Sequence, residues 1–127
     1  MPESDVVLIT GASMGLGYTM AELIAEGGWT VFGTSREPEN YSTDGWEMIE
    51  LDVTDDASVR ACVGEVMERA GRIDALVNNA GYGLRAFAEE ATDEEVRAQF
   101  DTNYFGVHRM NRAVLPIMRE QGRGRVV

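Results

Sequence analysis

Val6-Val7-Leu8-Ile9-Thr10-Gly11-Ala12-Ser13-Met14-Gly15-Leu16-Gly17 is the stretch that decides how this chain folds. Its first four residues are apolar with no polar residue between them, the pattern of a strand covered on both faces in a parallel sheet. Thr10-Gly11 ends the run, and apolar residues then return at Leu16, Met20, Leu23 and Ile24, a helical spacing that Gly27-Gly28 stops. A strand that passes through a glycine-rich turn into a helix is suited to binding an anion. The free N–H groups of the first helical turn face it, and glycines let a diphosphate approach the backbone with no Cβ in the way. The spacing from Gly11 to Gly17 is G-x3-G-x-G, unlike the G-x-G-x-x-G dinucleotide fingerprint, and no Lys-Ser/Thr follows as in a P-loop. A turn that uses glycine for backbone geometry alone is the alternative.

Outward from this turn the chain keeps alternating. Trp29-Thr30-Val31-Phe32 is a second short strand, followed by a polar loop with Pro38 and Asn40, and Met48-Ile49-Glu50-Leu51 is a third. Thr54 reads as a helix N-cap with acids after it, where the macrodipole favours them. Val59, Cys62, Val63, Val66, Met67 and Ala70 form one face of that helix, and Gly71 ends it. Ala75-Leu76-Val77 is a fourth strand. Thr92 with Glu95 reads as a capping box opening a long helix whose apolar residues are Phe100, Tyr104, Val107, Val114 and Leu115, with Pro116 expected to kink or interrupt it. Gly122-Arg123-Gly124-Arg125 leads to Val126-Val127, where a fifth strand begins. Strands alternating with helices predict a Rossmann-like, doubly wound α/β domain with a mostly parallel sheet, truncated at the start of the fifth strand. A sheet of this kind is expected to leave an open apolar edge at strand four.

Composition sets limits on function. The 127 residues suit one small domain, with 44% hydrophobic and 26% charged residues, near the globular average. No apolar run approaches the roughly 20 residues of a membrane span, and the opening Met-Pro-Glu-Ser-Asp lacks the features of a secretory signal. Twenty-two acids against 11 basic residues give a net charge of −11, which repels a phosphate backbone and argues against nucleic-acid binding. The single cysteine, Cys62, excludes an internal disulfide, so a reducing cytoplasmic location is expected. It reads as a small core hydrophobe, and the lone His108, without a cysteine partner nearby, as a helix-face residue and not a metal ligand. All 11 basic residues are arginine; there is no lysine.

The residues after the second strand bear on which dinucleotide is preferred. An acid about 20 residues past the glycine turn would bond an adenosine ribose 2′-OH. Here the chain reads Gly33-Thr34-Ser35-Arg36, and Arg36 offers a fork of donors to a 2′-phosphate. The expectation is NADP(H) over NAD(H).

Thr10-Gly11-x3-Gly15-x-Gly17, Asp52-Val53 after the third strand, Asn78-Asn79-Ala80-Gly81 after the fourth and Asn103 in the long helix together resemble the short-chain dehydrogenase/reductase family, in its single-domain branch and over the whole chain. The resemblance implies that Gly11, Ser13, Gly15, Leu16 and Gly17 surround the pyrophosphate and adjacent ribose, and that Ser35 and Arg36 meet the 2′-phosphate. Asp52 would accept from the adenine amino group, Val53 would pack on the ring, and Asn79, Ala80 and Gly81 would pass close to the riboses. Asn103 would hold a water in a proton relay to the catalytic lysine. Tyr82 and Leu84 could border a substrate pocket, or belong to a surface loop. In the family a Ser polarises the reacting oxygen, a Tyr donates or accepts the proton, and a Lys four residues after the Tyr lowers its pKa. No such pair exists among Tyr18, Tyr41, Tyr82 and Tyr104, because the sequence has no lysine. The expectation is therefore the N-terminal, cofactor-binding half of a protein of about 250 residues, as the family's size suggests, with an alcohol or ketone as substrate and a homo-oligomer through the long helix. The isolated 127 residues are expected to be inactive. A noncatalytic dinucleotide-binding module, or an assembly unit pairing through its open sheet edge, remains as an alternative.

Overall fold

In a computed structural model of the chain, which describes residues 4–127, β1 (Val6–Ile9) is the centre of one parallel five-stranded sheet. The others are β2 (Thr30–Ser35), β3 (Glu47–Glu50), β4 (Ala75–Val77) and β5 (Arg125–Val126), in the spatial order β3-β2-β1-β4-β5. Leu8 lies between Phe32 and Leu76, and Val7 between Val31 and Ala75. Because successive side chains point to opposite faces, the unbroken apolar run of β1 supplies both. Val6 and Leu8 join one core with Ile49, Val63, Met110 and Val114; Val7 and Ile9 join another with Ala12, Ala21, Val31 and Trp46. Each such fully buried aliphatic side chain contributes about 1.5–3 kcal/mol. The strand order reverses at β1, with β2 and β3 laid down on one side of it and β4 and β5 on the other. In a doubly wound sheet that point opens a crevice at the carboxyl ends of the strands.

The first helix, α1 (Gly15–Glu26), turns inward its smallest residues, the buried Gly17 and Ala21, with Met20 and Ile24 beside them. Leu16 and Leu23, expected on the inner face, are exposed instead, because Gly17, Met20, Ala21 and Ile24 form the face that α1 turns to the core. The second, α2 (Asp56–Ala70), buries Val59, Cys62, Val63 and Val66 as expected and ends at Gly71, whose φ of +74° is the left-handed cap that glycine takes without strain. Its N-cap is Asp55, which accepts from the Ala57 N–H at 3.0 Å, and not Thr54. The Thr54 hydroxyl is already committed, donating to Asp52 Oδ1 at 2.7 Å.

The long helix is in two parts. α3 (Asp93–Phe100) opens with the expected Thr92–Glu95 capping box, and α4 (Gly106–Gln121) follows after a π turn over Asp101–Phe105. The wide turn shifts the register of the apolar stripe, so α4 buries Gly106, Met110, Val114 and Met118, while Phe100, Tyr104 and Leu115 lie outside. Pro116 neither breaks nor interrupts α4. It lies on the exposed side together with Arg112, whose carbonyl loses its helical N–H donor where water can replace it. β5 pairs with β4 through Ala75–Arg125 and Leu76–Val126, so β4 is not the open edge; β5 is. No helix among the described residues is long and apolar enough to cross a membrane.

Candidate active site

The turn between β1 and α1 is built on two buried threonines. The Thr10 hydroxyl accepts from the Asn79 N–H at 3.0 Å and the Ala80 N–H at 2.9 Å while donating to the Val77 carbonyl at 3.4 Å, which joins the end of β1 to the end of β4. On the other side Thr34 of β2 accepts the Gly11 N–H on its hydroxyl at 3.1 Å, and the Ala12 N–H on its carbonyl at 2.8 Å. Asn79 closes the arrangement by donating its side-chain amide to the Gly11 carbonyl at 2.9 Å.

Glycine is required here for two separate reasons. Gly11 has φ of +66°, and a Cβ on it would come within 2.9 Å of the Ala80 Cα. At Gly17 a Cβ would collide with the Gly11 carbonyl and the Asn79 amide nitrogen, so this residue is a packing requirement behind the turn. Gly15 has φ of +62° but open space around it. The N-cap of the helix is Met14, which has no side-chain cap to give, so no cap oxygen competes for the N–H groups of the first turn.

In front of the turn lies a cleft of about 980 Å³. Of the residues predicted from sequence, Gly11, Ser13 and Leu16 line it beside the turn, Ser35, Arg36, Asp52 and Val53 from β2 and β3, and Asn79, Ala80 and Gly81 from β4. Gly15, Gly17 and Asn103 are not in its lining. Asn103 stands one layer back on the π turn, where its Oδ1 accepts the Tyr82 N–H at 3.0 Å and its Nδ2 donates to the Tyr82 carbonyl at 2.7 Å. A Cβ on Gly81 would meet Asn103 Oδ1 at 2.9 Å, so the glycine lets the loop come in.

Charge is divided along the cleft. Arg36 is exposed and makes no hydrogen bond or ion pair among the described residues. Two bonds from Thr54, hydroxyl and N–H, hold the Asp52 carboxyl below the usual carboxylate range despite partial burial, with the charges of Arg36 and Arg109 adding to the effect. Glu37 also lines the cleft, but its Oε2 accepts from Asn40 Nδ2 at 2.9 Å. Thr34, Tyr41 and Thr54 line it as well, and sequence reasoning missed all three. Burial pushes the Cys62 thiol up to about 12, which removes it as a nucleophile. Among the described residues no three His, Cys, Asp or Glu side chains cluster as a metal site would need.

Residues 5–127 match the family described as short chain dehydrogenase. The chain is similar to 3-ketodihydrosphingosine reductase of Bacteroides thetaiotaomicron, 45% identical over 98% of this chain and 46% of that protein. It superimposes with a TM-score of 0.92 on a short-chain dehydrogenase from Streptomyces avermitilis, at 42% identity, covering 99% of this chain and 48% of that one. A 3-ketoacyl-(acyl-carrier-protein) reductase from Brucella melitensis, solved in complex with NADH, is 35% identical with a TM-score of 0.88, over 94% of this chain and 52% of that one. The chain thus spans about half the length of these proteins.

Proposed function

The chain belongs to the short chain dehydrogenase family, and from that premise we propose that its cleft holds the adenosine and diphosphate part of NADP(H) for hydride exchange with an alcohol or carbonyl substrate. One observation carries the cofactor preference. Arg36 is exposed and lines the cleft together with Ser35 and Asp52. A planar fork of donors in that place suits a 2′-phosphate, and a charge-assisted bond of about 1.5–3 kcal/mol corresponds to a roughly ten- to hundredfold preference. A structural neighbour was solved with NADH, so the preference for NADP(H) rests on Arg36 itself.

The other residues fit such a ligand. The first-turn N–H groups of α1 and the absence of a Cβ at Gly11 and Gly15 leave a surface for the diphosphate, with Ser13 and Leu16 beside it, while Gly17 keeps the turn and Asn79 in register. Asp52, ionised and oriented by Thr54, accepts from the adenine amino group, and the neighbouring Val53 supplies an apolar wall. Asn79, Ala80 and Gly81 pass along the riboses. Bound NADP(H) would give or take the hydride. Asn103 sets the Tyr82 loop beside the reacting end, and each of its amide atoms retains one further bonding position for a relay water.

Several broader features belong to the same proposal. A carbonyl substrate suits a chain whose relatives include ketoreductases. Exposed Phe100, Tyr104, Phe105 and Leu115 support self-association through the α3–α4 face, and the single buried thiol suits the cytoplasm. Because the Ser and the Tyr-x3-Lys pair are not among these residues, the 127-residue polypeptide should bind nucleotide without turning it over; general acid–base catalysis is typically worth 10²–10⁴-fold.

The test is a titration of NADPH and NADH into the wild-type chain and Arg36→Ala. NADPH should bind the wild type at least tenfold more tightly, and the substitution should remove that margin while leaving NADH unchanged. Equal affinities in the wild type would overturn the cofactor assignment.

A further inference from the structure

Arg109 lies on α4 outside the lining of the cleft, yet it joins two elements that shape the cleft. Its Nη1 donates to the Val53 carbonyl at 3.0 Å and to the Asp101 carbonyl at 3.1 Å, and its Nη2 donates to Asp101 Oδ1 at 2.5 Å. Val53 follows Asp52 in the loop after β3, and Asp101 opens the π turn whose third residue is Asn103. The two elements also meet directly, since a Cβ on Gly106 would stand 2.7 Å from Val53 Cγ2. Glycine therefore lets the end of the π turn press against the adenine-side loop.

A turn of this kind carries one extra residue and tilts carbonyls away from regular helical partners; here a side-chain donor reaches one of them. The Arg109 side chain is only 20% exposed, and three bonds fanning from one rigid plane fix the distance between loop and turn. A lysine ammonium cannot reproduce that fork. On its far side the π turn passes the constraint on, because Asn103 holds both backbone groups of Tyr82.

We propose that Arg109 is a positioning residue that makes occupation of the adenine end and the setting of Asn103 depend on each other. Displacement of Val53 by the nucleotide is transmitted through the guanidinium to Asp101, and from there to Asn103 and the Tyr82 loop. The proposal rests on the nucleotide reading of the cleft. By linkage the coupling is reciprocal, so what occupies the adenine end sets Asn103 as much as the setting of Asn103 bears on the adenine end.

The probe is adenosine 2′,5′-bisphosphate, which lacks the nicotinamide half, titrated into the isotopically labelled chain while the Tyr82 N–H and the Asn103 side-chain amide are followed by NMR. In the wild type both signals should shift at saturation. Arg109→Gln should, at saturation with the probe, leave both signals at their ligand-free positions. Arg109→Lys keeps the charge but not the fork, so it should show a reduced shift, and it serves if the glutamine variant does not fold. Saturation of the wild type without a shift, or a full shift in either variant, overturns the proposal alone. Failure of the wild type to bind the probe overturns the nucleotide reading and this proposal with it.

Discussion

At the amino end of β1 and β4, Asp74 has every oxygen occupied: Oδ2 accepts the Val6 N–H and Arg72 Nε at 2.8 Å each, and Oδ1 accepts Arg72 Nη2 at 2.7 Å. Nearby, Gln121 of α4 both accepts from the Ile73 N–H at 3.0 Å and donates to the Ile73 carbonyl at 2.8 Å. At the carboxyl end of the same two strands, Thr10 and Thr34 are equally buried, but their bonds hold a turn open around a cleft. One end uses buried polar groups to close the structure on itself, and the other uses them to hold backbone N–H groups and glycines toward a space. One end of the sheet is closed by its own bonds and the other opens on the cleft, and in a doubly wound sheet it is the carboxyl end that opens in this way.

The largest expected effect breaks the closed end. Asp74→Ala leaves the Val6 N–H without its acceptor and removes the two short bonds from Arg72, and should lower unfolding free energy by about 3–5 kcal/mol in urea titrations. Nucleotide affinity of the folded fraction should not change. A loss of affinity with stability intact would show that the two ends are not separate.

The same end should respond to acid. Arg72, then the Val6 N–H and Arg123, hold the Asp74 carboxyl below its ordinary value against the opposing effect of burial. A folded-state pKa lowered in this way stabilises the protein above the unfolded value near 3.9, and that contribution is lost as pH falls below it. Asp74→Asn should remove this part of the acid dependence in denaturant melts taken from pH 5 downward.

At the open end the expected order of effects reverses. Gly17→Ala forces a methyl onto the Gly11 carbonyl and the Asn79 amide; it should cost about 1–3 kcal/mol in stability and at least tenfold in NADPH affinity by isothermal titration. Thr10→Val is the mildest change: it leaves the Ala80 N–H without its acceptor, while the Asn79 N–H keeps the Val77 carbonyl at 3.1 Å, at a cost of about 1–3 kcal/mol. It should weaken nucleotide binding more than Arg119→Gln, a substitution on the exposed end of α4. Equal effects would mean that the threonine does not organise the turn.

The comparison also shows which features the sequence made legible. The unbroken apolar run of β1 and the glycines after it required a covered strand and a sharp turn, and both occur because strand burial and positive φ leave strong local marks. Ten of the twelve cofactor-side residues named from motifs line one cleft. What escaped depended on contacts distant in sequence. The π turn is tied to Asn103–Tyr82 and Arg109–Asp101 bonds, which no periodicity encodes, and it moved Met110 and Met118 inward and left Phe100 and Tyr104 outside. The helix cap moved from Thr54 to Asp55 because Asp52 had already engaged the threonine. The clasp around Asp74 joins it to Val6, 68 positions away, and only its partner Arg72 lies near it in the chain.

The most direct test of the account is a crystal structure of the chain soaked with NADP⁺. The account predicts the diphosphate against the N–H groups of residues 11–17, the 2′-phosphate at Arg36 and the adenine between Asp52 and Val53. A nucleotide bound elsewhere, or a saturating soak that leaves that turn empty, would contradict it.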